Sequence, residues 1–217
     1  MEEQTVVTVS HVSSGEEKLA KFISIIFHPL LMPTYGFLLL FYTQNYVATF
    51  LQVQVKLIIV ALTFLFTFIF PAINAVVLWK MGRIKSLEME DPQDRLLPYG
   101  TTLLYYGALL YLLYNSHFPL VCKMIILGGA FCILVTLIVN LRWKISAHMV
   151  GAGGVTGAML AVFYRLQSDL QLAFFIIIIV AGLVGYARLK LNAHTPAQVY
   201  TGFLTGFLIQ LILILFY

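Results

Sequence analysis

The sequence predicts an all-α, polytopic transmembrane bundle of about seven spans, six at the fewest, and three observations carry that prediction. The 217 residues are 61% hydrophobic and 10% charged, with a mean hydropathy of +0.94, against roughly 45–50% apolar in an ordinary soluble domain. Apolar runs recur along the chain, several of them longer than the ~20 residues that cross a hydrocarbon core. Charged residues collect in the short junctions between the runs.

Residues 1–20 read as a polar N-terminal tail without the basic start and apolar core of a secretory signal, and His11 there reads as solvated. Seven segments follow, near Phe22–Tyr42, Leu57–Trp79, Tyr99–Tyr114, Leu120–Leu141, Ala147–Tyr164, Leu170–Tyr186 and Pro196–Phe216. Together they read as one transmembrane domain over 21–217. The third is the shortest; the turn Asn115–Pro119 joins it to the fourth as a tight hairpin. Pro29, Pro33 and Pro71 are expected as kinks, tolerated where neighbours satisfy the freed carbonyls. Cys122 and Cys132 lie in one apolar segment and read as small buried hydrophobes.

With seven crossings, the Lys80–Pro98 loop and the junctions near 142–146 and 188–195 all emerge on the N-terminal side. Ten cations, Lys18 through Lys190, fall on that side against Lys56, Lys123 and Arg165 on the other. The positive-inside rule then turns the junction face toward the cytoplasm. The expected setting is a bacterial inner membrane.

Two of these junctions carry the chemistry. In Gly185–Gly202, GYARLKLNAHTPAQVYTG, Thr195 reads as a helix cap, Pro196 as the first helical residue and Gln198 as the closing member of a capping box. The helix therefore begins beside His194, with Arg188 on its approach. In Trp143–Gly157, WKISAHMVGAGGVTG, Ser146 is expected to cap a helix with His148 in its first turn, where free amides and the helix dipole suit an anion. Phosphate is the expected guest.

Ser146-Ala147-His148 resembles the second motif of the type 2 phosphatidic acid phosphatase and haloperoxidase superfamily, and Arg188, five residues, then His194 resembles its third. Ile145, Ala187 and Gln198 stand where that family carries proline, serine and aspartate. The first motif has only a blurred counterpart in Lys85–Pro98. The resemblance implies that His194 attacks phosphorus, that His148 protonates the leaving oxygen, and that Arg188 and Ser146 hold the phosphate oxygens. It also implies that Gln198 stands in for the carboxylate that orients the nucleophile, so Gln198→Asp is expected to raise turnover. In the charged 80–98 loop Arg95 is the better candidate for a further phosphate clamp and Lys85 the weaker. No metal and no cofactor is called for.

The expected function is therefore a lipid phosphatase, metal-independent and working through a phosphohistidine, on phosphatidate, phosphatidylglycerophosphate or a polyprenyl diphosphate. The alternative is an inactive homologue that binds a phospholipid or a membrane partner. The membrane and a lipid phosphate are the expected partners, nucleic acid is not, and nothing in the sequence specifies an oligomeric state. An aromatic prenyltransferase using Asp91 and Asp94 is set aside because it needs a second acidic cluster and Asp169 is isolated. His28 is expected to make a structural hydrogen bond, and His117 sits in the opposite turn.

Overall fold

The computed structural model describes residues 14–43, 45–89, 91–166 and 171–217. Expectations placed on His11 and Asp169 lie outside them. Within them the architecture is all-α: α1 (Ser14–Ile26), a 3-10 turn (Pro29–Leu31), α2 (Met32–Tyr42), the short α3 (Tyr46–Phe50), α4 (Val53–Phe64), a π-turn (Leu65–Ile69) and α5 (Phe70–Lys80) come first. A second 3-10 turn (Pro92–Arg95) leads into α6 (Leu96–Tyr114), followed by α7 (Leu120–Asn140), α8 (Ala147–Leu166), α9 (Gln171–Lys190) and α10 (Pro196–Leu215). Seven helical segments are long and apolar enough to cross a membrane, at 15–42, 53–80, 92–114, 120–140, 147–166, 172–190 and 196–215. The chain is an integral membrane protein.

Of the boundaries that move from the expected ones, two bear on the site. The first helix begins at Ser14, inside the expected tail, because Glu17 pairs with Lys21 one turn on at 2.7 Å and Glu16 reaches Lys190 of α9 at 2.6 Å. The sixth span continues to Lys190, so Arg188 sits in its last turn, where a cation complements the negative end of the helix dipole.

Pro29 and Pro71 stand at breaks in their spans, each through a distinct device, whereas Pro33 lies in the first turn of α2. Pro29 ends α1, and the chain restarts in a turn capped by His28, whose Nδ1 accepts the Leu30 N–H at 3.3 Å. Pro71 follows the π-turn, the kind of irregularity that absorbs a missing donor. The two breaks face each other: Thr67 Oγ1 in the π-turn donates to the Leu30 carbonyl at 3.1 Å.

The closest helix pair is α8 with α10. Gly153 and Gly157 on α8 lie against the carbonyls of Phe203 and Phe207, while Gly206 on α10 lies against the carbonyl of Val150. Glycines four apart on both helices let the backbones touch, which is how helices associate in lipid when apolar burial drives nothing. This contact sets the ends of α8 and α10, hence Ser146 and Gln198, side by side.

Candidate functional site

The junction between α9 and α10 is built from two caps laid end to end. The Ala193 N–H bonds the Arg188 carbonyl at 3.2 Å and the Asn192 N–H bonds that of Leu189 at 3.0 Å, with Asn192 left-handed at φ 51°. This is a Schellman ending, and asparagine is the side chain after glycine that adopts it with least strain. Two residues later Thr195 opens α10 with a complete capping box. The five-residue interval from Arg188 to His194 is thus the length of one helix ending plus one beginning.

Gln198 does two things at once. Its Oε1 accepts the Thr195 N–H at 3.1 Å and lies 3.1 Å from His194 Nδ1. A backbone amide only donates, so the group facing it is the amide oxygen, and that oxygen then takes its second hydrogen from Nδ1. The proton of His194 is held on Nδ1 and the Nε2 lone pair is left free. Burial lowers the pKa of His194 to about 4, opposed by the hydrogen bond to Gln198 and helped less by the charges of Arg188, Arg95 and Lys144. The imidazole is therefore neutral through the physiological range, with its Nε2 lone pair free.

Ser146 is fully buried immediately before α8, and its N–H reaches the Gln198 carbonyl at 3.4 Å. Its carbonyl begins the helix by accepting from Val150 at 3.0 Å. The hydroxyl expected to cap α8 makes no hydrogen bond among the described residues. His148 Nε2 lies 3.1 Å from the carbonyl of Ser24 on α1, and its ring meets that of His28 edge to face with centroids 5.7 Å apart. Arg188 donates through one terminal nitrogen to the Ser24 hydroxyl at 3.2 Å, while its buried Nε has no acceptor among the described residues.

Arg95 is 7% exposed and bridges the preceding loop to the same place, donating to the Met89 carbonyl at 2.8 Å and to the Ile145 carbonyl at 3.4 Å. Asn140, at the end of α7, holds that loop through the Pro92 carbonyl at 2.7 Å. Lys85 stands differently from the expectation. Its exposed ammonium pairs with Asp91 at 2.8 Å and its backbone N–H bonds Asp94, so the loop's own carboxylates take its charge.

The structure therefore gathers His194, Gln198, Arg188, Ser146, His148 and Arg95, and leaves Lys85 in the loop. It adds Ser24 and His28 from the first span. His28 makes the expected structural hydrogen bond and also packs on His148. The only mark that Ser24 leaves in the sequence is the nearby Pro29, which ends its helix.

His194 and Gln198 line an open cleft with Leu189, Asn192, Ala193, Thr195 and Pro196. A second, mostly apolar cavity of about 110 Å³ is lined by Ala147, next to Ser146, by Tyr99 and by Gln210. Chemically, the cluster offers one neutral imidazole with a free lone pair, a second imidazole with a carbonyl partner, and buried cationic and hydroxyl donors lacking acceptors. Such a set accommodates an oxyanion. A family model described as the PAP2 superfamily matches residues 142–217. Neither the comparison with curated proteins nor that with solved structures finds a match.

Proposed function

We propose, from the match of residues 142–217 to a family model of the PAP2 superfamily, whose members are generally phosphatases, that the chain hydrolyses a phosphate or diphosphate monoester of a lipid through a phosphohistidine on His194. The observation that carries this reading is the pair of buried, acceptorless donors, Arg188 Nε and Ser146 Oγ, gathered with two histidines of fixed tautomer. Leaving such donors buried costs about 1–3 kcal/mol each, more for a charged group, and phosphate oxygens would satisfy both.

In this mechanism the Nε2 lone pair of His194 attacks phosphorus as the phosphorus–oxygen bond to the lipid breaks. His148, with Nε2–H held by the Ser24 carbonyl, acts as the acid in its doubly protonated form: it gives the Nδ1 proton to the departing oxygen, and the Nδ1 lone pair then takes one from the water that cleaves the phosphorus–nitrogen bond. Arg188, Ser146 and Arg95 balance the charge on the phosphoryl oxygens. A cavity near 110 Å³ compares with the 150 Å³ that holds a benzene, so it takes a short stretch of tail and the remainder stays in lipid. Phosphate release from phosphatidate, phosphatidylglycerophosphate and polyprenyl diphosphate by the purified protein tests the reading. Binding of phosphate without release from any of them would favour a lipid-binding homologue instead.

Gln198 supplies the orienting oxygen without the charge of a carboxylate. Glutamate has the same reach and completes a capping box equally well, so the structure makes Gln198→Glu a cleaner test than the shorter aspartate. A charged acceptor strengthens such a bond by about 1 kcal/mol, and the phosphohistidine-forming step is expected to quicken about fivefold with phosphate affinity little changed. Single-turnover rates measure it; a folded Gln198→Glu variant slower than the parent would show that the neutral amide is the tuned state.

The motif face is cytoplasmic in this reading, by the charge bias. Cys122 and Cys132 are free and buried, so thiols introduced at Gly15, Asp91 and Lys190 report on their own positions. All three are expected to resist an impermeant reagent in intact cells and to react after lysis. Labelling of all three in intact cells would reverse the orientation, and a split among them would dismantle the site.

A further inference from the structure

We propose that Ser24, on α1 and 118 residues before the matched segment, is a positioning residue of the phosphate site, aiming His148 with its carbonyl and one arm of Arg188 with its hydroxyl. This rests on the phosphoryl-transfer reading and adds the first span to the site's working parts.

The carbonyl is available because of the way α1 ends. Carbonyls in the last turn of a helix lack helical donors, and here the chain breaks at His28-Pro29, where proline has no N–H to continue the ladder. The last bond of this kind runs from the Phe27 N–H to the Ile23 carbonyl at 2.9 Å. The Ser24 carbonyl is instead taken by His148 Nε2 at 3.1 Å, and that of Ile26 by the Tyr35 hydroxyl at 2.8 Å. A carbonyl accepts only, so His148 carries its proton on Nε2 and keeps a lone pair on Nδ1. The two histidines are thus oriented by the same device: each presents one N–H to a neutral amide oxygen, from Gln198 for His194 and from the Ser24 backbone for His148.

The hydroxyl acts on Arg188. A guanidinium has five N–H donors in a rigid fork, and fixing one terminal nitrogen on Ser24 Oγ at 3.2 Å fixes the plane in which the unpaired Nε lies. Ser24 is itself held. It is 8% exposed, Ala20 and Ile23 pack with Val184 and Ala187 of α9, Met149 of α8 and Val199 of α10, and Glu16 ties the start of α1 to Lys190. The hydroxyl is therefore an anchored acceptor, and its removal frees Arg188 to rotate away from the phosphate.

Binding of inorganic phosphate to the purified full-length protein, followed by calorimetry, reads this independently of turnover. Ser24→Ala is expected to weaken phosphate binding and to lower kcat/KM on the preferred lipid phosphate, each about tenfold, the loss of one hydrogen bond to a charged donor. Ser24→Thr, which keeps the hydroxyl, is expected to recover both. In an Arg188→Lys background Ser24→Ala should cost nothing further, since the two act as one unit. The ¹⁵N signals of His148 should keep the Nε2–H tautomer in Ser24→Ala, which retains the carbonyl, and lose it in Pro29→Ala, which lets α1 run on and reclaim it. Alanine is the better helix former, so Ser24→Ala is expected to fold. Parental phosphate binding in Ser24→Ala, or an undiminished cost in the Arg188→Lys background, would overturn the proposal. A parent that binds phosphate in a Ser24-dependent way yet releases none from any lipid would overturn the hydrolysis reading and leave this one standing; a parent that binds no phosphate would overturn both.

Discussion

His194→Ala is expected to abolish phosphate release, by at least about 10⁴-fold, because in the proposed mechanism it removes the one group that forms a bond to phosphorus. The loss should be chemical in origin. The cap of α10 rests on Thr195 and Gln198, whose mutual bonds remain when the imidazole is gone, so the helix start and the thermal stability should change little. Arg188 and Ser146 stay in place, and inorganic phosphate should still bind. The pH dependence has a sign that follows from the ring's surroundings. Burial and the nearby cations hold the free imidazole neutral down to about 4, whereas an ordinary histidine would be half protonated near 6.5. Nucleophilic capacity is thus present above about pH 4 and lost as protons are added below it. The limb of kcat/KM that reports His194 is expected near pH 4. Release within tenfold of the parent by a folded His194→Ala variant, or a failure to trap labelled phosphate on the parent protein during turnover, would sink the phosphohistidine. His148→Ala should do less harm, and most to substrates whose leaving oxygen needs its proton.

The spans were legible because hydrocarbon length and apolar run length are the same constraint, and the break at Pro29 and the irregularity before Pro71 were legible because proline removes a donor wherever it stands. The site was legible where the spacing of residues is itself a structure. Arg188 and His194 are separated by one helix ending and one capping box, and the threonine, proline and glutamine of that box read directly from the sequence. Arg188 and Lys190 looked like loop because they are charged, yet cations are at home in a final helical turn. Lys85 and Arg95 carry like charge in one loop, and only their neighbours separate them. Asp91 and Asp94 take up Lys85, whereas Arg95 turns inward to the carbonyls of Met89 and Ile145. Ser24 could not have been found by side-chain chemistry, because half of its contribution is a backbone carbonyl released by a break five residues on. The glycines of α8 and α10 were not singled out by their spacing, because which glycine meets a backbone is a matter of helix rotation.

Those glycines carry the other large effect. Gly206→Ala is expected to cost stability at the top of the about 1–3 kcal/mol range for overpacking, and to remove activity with it. A methyl there runs into the Val150 carbonyl and the Gly154 amide nitrogen, and one at Gly153 into the Phe203 carbonyl; these are backbone atoms, which have no rotamer to yield. The helices must separate. Their separation pulls on the bond between the Ser146 N–H and the Gln198 carbonyl, already 3.4 Å long, and so draws Ser146 and His148 away from His194. At Gly202 the obstacle is the Ser146 carbonyl itself, 2.8 Å from the added carbon, so substitution there strikes the site more directly. The chain contains its own control. Among the described residues a Cβ on Gly107 of α6 or Gly182 of α9 meets nothing within 4 Å, and alanine at an open helical position gains up to about 1 kcal/mol in propensity. Thermal unfolding in detergent should therefore show Gly206→Ala and Gly153→Ala well below the parent and Gly182→Ala at or above it, with phosphate release lost in the first two and kept in the third. If Gly182→Ala were as damaging as Gly206→Ala, or if Gly206→Ala unfolded with the parent, the close approach of α8 and α10 would not be what holds the two motifs together.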